Sequence, residues 1–166
     1  MKQAKVPAHP IPKCNVTPET LGYIATSKYI DGMPFHRTEK AFGRHDVDIK
    51  RDQMSRWMVN LGGQLEKLKR LLHNQLLASD SIAMDETYIQ VLKEKDRRPD
   101  QKSFLLVQAR EGPPGQKIVL FHYHKSRAAV VIAEYLEGFS GALVTDGLAV
   151  YDSYCQGRTI NHGGCW

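Results

Sequence analysis

Two short apolar stretches, each carrying an aspartate, constrain the fold of this chain more than any other feature. The first runs from Ser81 to Val91 with Asp85 inside it, and the second runs from Ala142 to Gly147 and contains Asp146. Both are rich in apolar and β-branched residues, which predicts two strands. A carboxylate on an otherwise buried strand is costly unless another charge compensates it, and a divalent cation is the usual compensator. Two such strands side by side would form half of a metal site.

The intervening segments predict how these two strands become neighbours. Residues 103–110 and 117–123 each predict a strand, and the glycines and prolines of residues 112–115 predict a turn between them. The first three strands are therefore expected to form an antiparallel meander. Ser126 is expected to cap a helix, which can return the fourth strand parallel to the first. The predicted class is α/β, a mixed sheet with a crossover helix, and this order of elements is the beginning of a ribonuclease-H-like fold.

A small helical region is predicted ahead of the strands. Residues 1–16 are rich in proline and predict an extended arm, and residues 17–79 predict helices. Thr17 can cap the first helix, with Pro18 at its first position, and a short second helix follows Pro34. A third helix then carries an apolar stripe at helical spacing. The succession of helix, short turn and helix is typical of a helix-turn-helix module, and residues 80–166 would follow it as the strand domain.

The exposed face of that third helix carries the candidate DNA-binding residues, Lys50, Gln53, Arg56 and Asn60. These side chains are of the types that contact base edges or phosphates. A plain helical hairpin with a solvated polar face is the alternative interpretation. Leucines recur through residues 61–76, which predicts a long amphipathic helix that packs on the strand domain or pairs with a second copy as a coiled coil.

Composition and charge narrow the class of protein. The 166 residues, 42% apolar, suffice for one sizeable core or for one domain with a small helical module. Residues 1–79 hold thirteen basic and seven acidic side chains, whereas residues 80–166 hold ten and eleven, so the overall charge of +5 lies in the front part. A basic front suits DNA binding. The three scattered cysteines predict no disulfide framework, and the absence of a signal peptide or long apolar run predicts a cytoplasmic protein without a membrane segment.

Other potential ligands have a structural explanation. His122 and His124 point to one face of their strand and could share a metal, but no third ligand is placed near them. His162 and Cys165 are three residues apart, which is again only a partial site. Glu86 follows Asp85 directly and, by strand alternation, faces the opposite side, so it is a poor third acid. Structural roles are therefore expected for these residues.

Several ordered motifs resemble the transposases of the bacterial insertion-sequence-sixty-six family. The motifs are Lys28-Tyr-Ile-Asp-Gly-Met-Pro34, Arg56-Trp57, Met84-Asp-Glu-Thr87, Ile118-Val-Leu-Phe121, Leu143-Val-Thr-Asp-Gly147 and His162-Gly-Gly-Cys-Trp166. The resemblance covers nearly the whole chain. It implies that Asp85 and Asp146 are the first two carboxylates of an Asp-Asp-Glu triad. Such a triad holds Mg²⁺ or Mn²⁺ for cleavage and strand transfer at transposon ends.

The resemblance also implies that this chain is a fragment. In the family, the glutamate of the triad lies well downstream of the stretch that resembles residues 162–166, and a further DNA-binding region usually precedes the proline-rich arm. The expected product is a truncated transposase that binds its metal weakly, because the third carboxylate is absent from the chain. The alternatives are a catalytically inactive remnant that binds double-stranded DNA, and a metal-dependent nuclease of the same fold.

Overall fold

A computed structural model describes residues 8–113 and 115–164. The chain forms two compact units that divide between Lys67 and Leu68. The elements, in chain order, are α1 (Pro18–Tyr29), α2 (Phe35–Gly43), α3 (Arg51–Leu77), β1 (Ser81–Gln90), β2 (Lys102–Arg110), β3 (Ile118–His124), α4 (Ala129–Tyr135), β4 (Gly141–Thr145), α5 (Ala149–Cys155) and β5 (Ile160–Gly164).

The first two helices begin where the sequence predicts. The Thr17 hydroxyl accepts a hydrogen bond from the Thr20 main-chain N–H at 3.3 Å, and Pro18 occupies the first position of α1. This cap satisfies one of the main-chain donors that every helix leaves unpaired at its amino end. Pro34 similarly precedes α2 as its N-cap residue. Local chemistry therefore sets both starts.

Residues 8–16 differ from the extended arm that their prolines predict. Ile11 is 4% exposed and belongs to the apolar core of the first unit. The His9 ring contacts the main-chain oxygens of Ile11 and Val16 at 2.7 and 2.8 Å, which closes a compact turn. Burial of one isoleucine outweighs the preference of the prolines for an extended chain. Residues 1–7, which complete the predicted arm, lie outside the described residues.

The apolar stripes predicted on both sides of residue 61 lie on one continuous helix, α3. Its amino-terminal part contributes Met54, Trp57 and Met58 to the core of the first unit. Leu72 and Leu76, near its carboxyl end, pack in the core of the second unit. The boundary between the two compact units falls inside this helix, between Lys67 and Leu68.

The second unit is a five-stranded mixed sheet in the order β3-β2-β1-β4-β5. Strands β1, β2 and β3 are antiparallel neighbours, as the meander predicts. Strand β4 runs parallel to β1, and β5 runs parallel to β4. The crossover through α4 therefore places β4 against β1, as predicted from its length.

Gly141 allows β4 to begin close to the end of the preceding segment. A Cβ atom at this position would lie 2.6 Å from the Asp80 carbonyl oxygen. That same oxygen accepts a hydrogen bond from the Ala142 N–H at 2.8 Å. Only glycine fits so close an approach of two main chains.

The start of α4 corrects one prediction. The N-cap residue is Ala128 rather than Ser126, and no side chain caps the helix. Ser126 lies two residues earlier, where its hydroxyl accepts a hydrogen bond from the Ala128 N–H at 3.1 Å. The serine therefore stabilises the turn that leads into α4, because its short side chain bonds the main chain two residues on.

One face of the sheet is covered and the other is open. The helices α4 and α5 and the end of α3 pack on the covered face, in an apolar cluster that includes Ile82, Met84, Leu106, Ile132, Leu136, Leu143 and Tyr151. On the other face Val119, Phe121 and Val144 are 41%, 56% and 37% exposed. Strand alternation separates the two sets, because successive side chains point to opposite faces.

The buried His122 is the main polar side chain of the covered face on β3. It is 4% exposed, and its ring lies 4.2 Å from the ring of Tyr135 and 5.5 Å from that of His73, between centroids. Its Nε2 atom has no hydrogen-bond partner among the described residues. Burial, together with the positive charges of Lys69 and His73, lowers the pKa of His122 to about 4.

This histidine predicts a loss of stability in mild acid. The pKa of His122 is near 6.5 in the unfolded chain and about 4 in the folded chain, so the folded chain binds this proton only at lower pH. The contribution of the neutral ring is therefore fully present above about pH 6.5 and is lost as the pH falls towards 4. Urea unfolding of the wild type between pH 7.5 and 4.5 should show this decline. His122→Phe, which keeps the ring packing, should flatten it.

A matched control is His36→Gln, since His36 is exposed on α2. This variant should retain the dependence of the wild type on pH. An identical acid response in the wild type and in His122→Phe would show that another group is responsible.

Candidate functional site

Asp85 and Asp146 meet at one place on the open face of the sheet. In the parallel register of β1 and β4, Ala83 lies opposite Val144, and each aspartate lies two residues further along its own strand direction. Both aspartates line a depression of about 340 Å³. The parallel pairing of these two strands therefore brings together the two carboxylates that the sequence singles out.

The two aspartates are exposed, which corrects the expectation of buried carboxylates. The reason is strand alternation, because Asp85 lies on the face of β1 that no helix covers. The walls of the depression are apolar side chains such as Val107 and Val144. Water rather than a bound cation can therefore solvate both charges, so burial alone does not require a metal here.

Each carboxylate uses one oxygen for a local main-chain contact. Asp85 Oδ1 accepts from the Glu86 N–H at 2.8 Å, and Asp146 Oδ1 accepts from the Leu148 N–H at 3.3 Å. No basic side chain of the described residues forms an ion pair with either aspartate. Two negative charges thus share one depression without a positive partner from the described chain. Carboxylate oxygens of this kind suit Mg²⁺ and Mn²⁺.

The donor set is incomplete for a closed metal site. Residues 8–113 and 115–164 contain no group of three or more histidine, cysteine, aspartate or glutamate side chains placed to hold one ion. Two carboxylates fit a hydrated cation that keeps most of its water ligands, which is how proteins commonly hold Mg²⁺.

Glu86 is directed away from the two aspartates, into the covered face. Its side chain is 5% exposed, Oε2 accepts from the Tyr151 hydroxyl at 2.7 Å, and Oε1 lies 3.9 Å from an Arg127 nitrogen. Burial and this hydrogen bond to Glu86 raise the pKa of the Tyr151 phenol, so it remains a donor. This arrangement agrees with the sequence argument that Glu86 is no third ligand for the site of Asp85.

A second polar link lies behind Asp146. The Thr145 hydroxyl donates to the Asp146 carbonyl oxygen at 2.7 Å and lies 2.8 Å from Nε2 of His162. The other ring nitrogen of His162, Nδ1, lies 2.8 Å from Asp152 Oδ1. The sequence predicts a structural role for His162 and for Cys165, of which Cys165 lies outside the described residues. His162 takes part in this hydrogen-bonded link.

Sequence reasoning missed both links, although one signal for them exists. Tyr151, Tyr154 and Cys155 are buried at spacings of three and four on α5, which identifies Tyr151 as a core-facing residue. The partners of Tyr151 and Asp152 come from β1 and β5, far away in the sequence. Only the folded arrangement identifies them.

His122 and His124 each contact different neighbours. His122 packs against Tyr135, as described above. Nδ1 of His124 accepts from the Ser126 N–H at 3.0 Å. Both rings are thus accounted for by packing and local hydrogen bonding.

The four candidate DNA-binding residues lie at the amino end of α3 or directly before it. Lys50 pairs with Asp48 at 2.6 Å, and Arg56 pairs with Asp52 at 2.7 Å. Gln53 is half-buried, and Asn60 is exposed. Exposed ion pairs are weak, so phosphate groups can compete for these two cations.

None of the helices in the described part of the chain combines the length and apolar character needed to cross a membrane.

Comparison with known proteins gives one family and one relative. The sequence pattern of the Transposase IS66 family matches residues 13–166. A relative named "Uncharacterized protein y4qI", from Sinorhizobium fredii (strain NBRC 101917 / NGR234), is 33% identical over 175 aligned positions. The alignment takes in 99% of this chain and 32% of the relative, so the chain spans about a third of that protein's length. No solved structure matches the chain. Because the family match extends over nearly all of its residues, the chain belongs to the Transposase IS66 family.

Proposed function

We propose that the second unit carries the first two carboxylates of a transposase active site for metal-dependent DNA cleavage and strand transfer. The observation that carries this proposal is the position of Asp85 and Asp146, the first on β1 and the second directly after the parallel strand β4, where both line one depression. Family membership supplies the connection with transposition.

The order of the strands supports a ribonuclease-H-like sheet. Three antiparallel strands are followed by a crossover helix and by two parallel strands, with β1 at the centre of the five. In this arrangement an acid on the central strand and an acid after the next parallel strand lie side by side. The proposal therefore assigns Asp85 and Asp146 as metal ligands and catalytic residues.

In the proposed reaction Asp85 and Asp146 would hold a cation beside the DNA phosphate. When bound, Mg²⁺ or Mn²⁺ supplies activation of a water or of a DNA 3′-hydroxyl and stabilisation of the leaving oxygen. Asp85 and Asp146 supply oxygen ligands and fix the place of the cation on the sheet. With two carboxylates the binding is weak, because most ligand positions stay with water.

A second candidate function is DNA binding without chemistry. The observation that favours it is the excess of basic side chains in residues 1–79, whose attraction for DNA needs no metal. Such a protein would compete with an intact transposase for transposon ends. The two functions differ in whether metal binding and strand transfer accompany DNA binding.

The first unit is proposed to bind double-stranded DNA as a helix-turn-helix-like module, through Lys50, Gln53, Arg56 and Asn60. Support comes from the exposure of Lys50, Arg56 and Asn60 and from the excess of basic residues in the front part of the chain. A DNA substrate places the protein with the chromosome, in the cytoplasm of a bacterium. Pairing of two copies through α3 stays a prediction, for which Leu65 and Leu68, 46% and 51% exposed, offer apolar surface.

Metal binding by the two aspartates should be visible as thermal stabilisation. A ligand at about ten times its Kd adds about 1.4 kcal/mol to the free energy of unfolding, which corresponds to a rise of a few degrees in Tm. Millimolar Mn²⁺ should produce such a rise in the wild type, measured by scanning calorimetry. Asp85→Asn and Asp146→Asn should remove most of it, because each deletes a ligand charge.

Asp96→Asn is the matched control for both variants. Asp96 is exposed in the loop between β1 and β2, and its φ of 62° suits asparagine equally well. This variant should respond to Mn²⁺ like the wild type. Equal responses in all four proteins would show that the two aspartates form no metal site.

DNA binding should depend on the balance of charge near the start of α3. Arg56→Gln should weaken binding to duplex DNA and reduce the slope of log affinity against log salt by about 0.9, the effect of one lost phosphate contact. Asp52→Asn should have the opposite effect, because it frees Arg56 from its ion pair. Fluorescence anisotropy at several salt concentrations measures both changes.

Arg98→Gln is the corresponding control, since Arg98 forms a similar exposed ion pair with Asp100 in the second unit. It should leave the affinity and the salt slope nearly unchanged. If Arg98→Gln weakens binding as much as Arg56→Gln does, the binding is a property of overall charge and not of α3.

A further inference from the structure

Two consecutive residues of α5 begin hydrogen-bonded links that lead to the neighbours of the two aspartates. Tyr151 donates from its hydroxyl to Glu86 Oε2 at 2.7 Å, and Glu86 directly follows Asp85 on β1. Asp152 lies 2.8 Å from His162 on β5, whose other ring nitrogen contacts Thr145. One short helix thus connects with the immediate neighbours of both carboxylates.

The link from Tyr151 ends at the main chain that orients Asp85. Tyr151 is fully buried, and the Glu86 side chain is 5% exposed, so water competes little for this hydrogen bond. The Glu86 main-chain N–H in turn donates to Asp85 Oδ1 at 2.8 Å. Holding the Glu86 side chain in the core therefore fixes the peptide group that orients the Asp85 carboxylate on the opposite face.

The link from Asp152 ends at the main chain of Asp146. The Thr145 hydroxyl donates to the Asp146 carbonyl oxygen at 2.7 Å and lies 2.8 Å from His162 Nε2. His162 Nδ1 lies 2.8 Å from Asp152 Oδ1. Hydrogen-bond distances thus connect Asp152 with the main chain of Asp146 through His162 and Thr145.

Exposure shows which part of this second link is sheltered. The side chain of His162 is 15% exposed, whereas that of Asp152 is 70% exposed. The hydrogen bond between His162 and Thr145 is therefore protected from water, whereas Asp152 contacts the His162 ring from the solvent side. Because Asp152 only needs to accept a hydrogen bond, a neutral acceptor of the same shape can replace it.

We propose that Tyr151, Asp152 and His162 are positioning residues for the two aspartates, acting through Glu86 and Thr145. They hold Asp85 and Asp146 in a fixed relation, so that both carboxylates can bind the same cation. This inference rests on the proposed function for the identity of the ligand. The positions of the two carboxylates depend on the chain itself and not on which ligand they bind.

The first experiment measures positioning without metal. The Leu148 N–H donates to Asp146 Oδ1, so exchange of that amide with solvent reports whether the segment is held. Hydrogen exchange followed by NMR on the full chain should show at least threefold faster exchange of Leu148 in Asp152→Ala and in His162→Gln. Asp152→Asn, which keeps the acceptor, should exchange like the wild type. Unchanged Leu148 exchange in Asp152→Ala and in His162→Gln overturns the proposal.

The second experiment measures Mn²⁺ affinity by the electron paramagnetic resonance signal of the free ion. Loss of groups that orient metal ligands commonly weakens metal binding about tenfold or more. Tyr151→Phe, which removes only the hydroxyl, and Asp152→Ala should therefore raise the Kd about tenfold, while Asp152→Asn restores it to within about twofold of the wild type. Wild-type affinity in both Tyr151→Phe and Asp152→Ala overturns the proposal.

Ser153→Ala serves as the matched control in both experiments. Ser153 is the next residue of α5, and its hydroxyl donates to the Ala149 carbonyl of the same helix at 3.0 Å. It should change neither the exchange of Leu148 nor the Mn²⁺ affinity. An effect equal to that of Asp152→Ala would show that the helix as a whole, and not the two links, is responsible.

The two experiments separate failure of this inference from failure of the proposed function. If the wild type binds no Mn²⁺ but Leu148 exchange responds to Asp152→Ala and His162→Gln as expected, the positioning holds and the metal site is wrong. If Mn²⁺ binds through the two aspartates but Leu148 exchange and affinity ignore these substitutions, the metal site holds and the positioning is wrong.

Discussion

The parallel pairing of β1 with β4 is the contact on which the candidate site depends. Two strands and a helix separate β1 from β4 along the sequence, and the pairing of β1 with β4 makes Asp85 and Asp146 neighbours. It requires α4 to cross from β3 to the far side of β1, and it requires glycine at position 141, where the main chain passes close to Asp80. Two parallel strands cannot be connected by a tight turn. The positions of the two carboxylates therefore depend on the whole crossover connection.

Strand alternation then assigns adjacent acids on β1 to opposite environments. Asp85 faces water beside the depression, whereas Glu86 faces the core and depends on Tyr151 for a hydrogen bond. A buried carboxyl group needs hydrogen-bond partners of this kind, because burial removes its contacts with water. Two adjacent residues thus differ in role. Asp85 presents an exposed carboxylate to a ligand, whereas the buried carboxyl group of Glu86 connects β1 with α5 through Tyr151. Neither acid could take the place of the other without a shift of register.

Much of the fold follows from sequence patterns that act locally. The strands, the meander, the parallel return of β4 and the start of α1 at Thr17 were all predictable, because each depends on periodicity or on a cap. The exposure of Asp85 was not predictable, because it depends on which face of the sheet the helices cover. Ile11 entered the core against the preference of neighbouring prolines, and Ser126 stabilised a turn where a helix cap was expected. The candidate pair of aspartates was predictable from its place on the strands, whereas the links through Tyr151 and His162 join distant segments that no local pattern connects.

The open face of the sheet determines how strongly the two aspartates can bind a cation. Both carboxylates are exposed, and the attraction between unit charges at about 4 Å is roughly 1 kcal/mol in water but several times larger where water is partly excluded. The side chains that surround the depression, including Val107 and Val144, are nevertheless apolar. These apolar side chains carry no charge that competes for the cation, and removing water from them costs little free energy. The same two carboxylates would therefore bind a cation more tightly whenever this face is covered, without any change in the ligands themselves. The weakness expected of the site thus has two separable causes, the number of carboxylates and the presence of water around them.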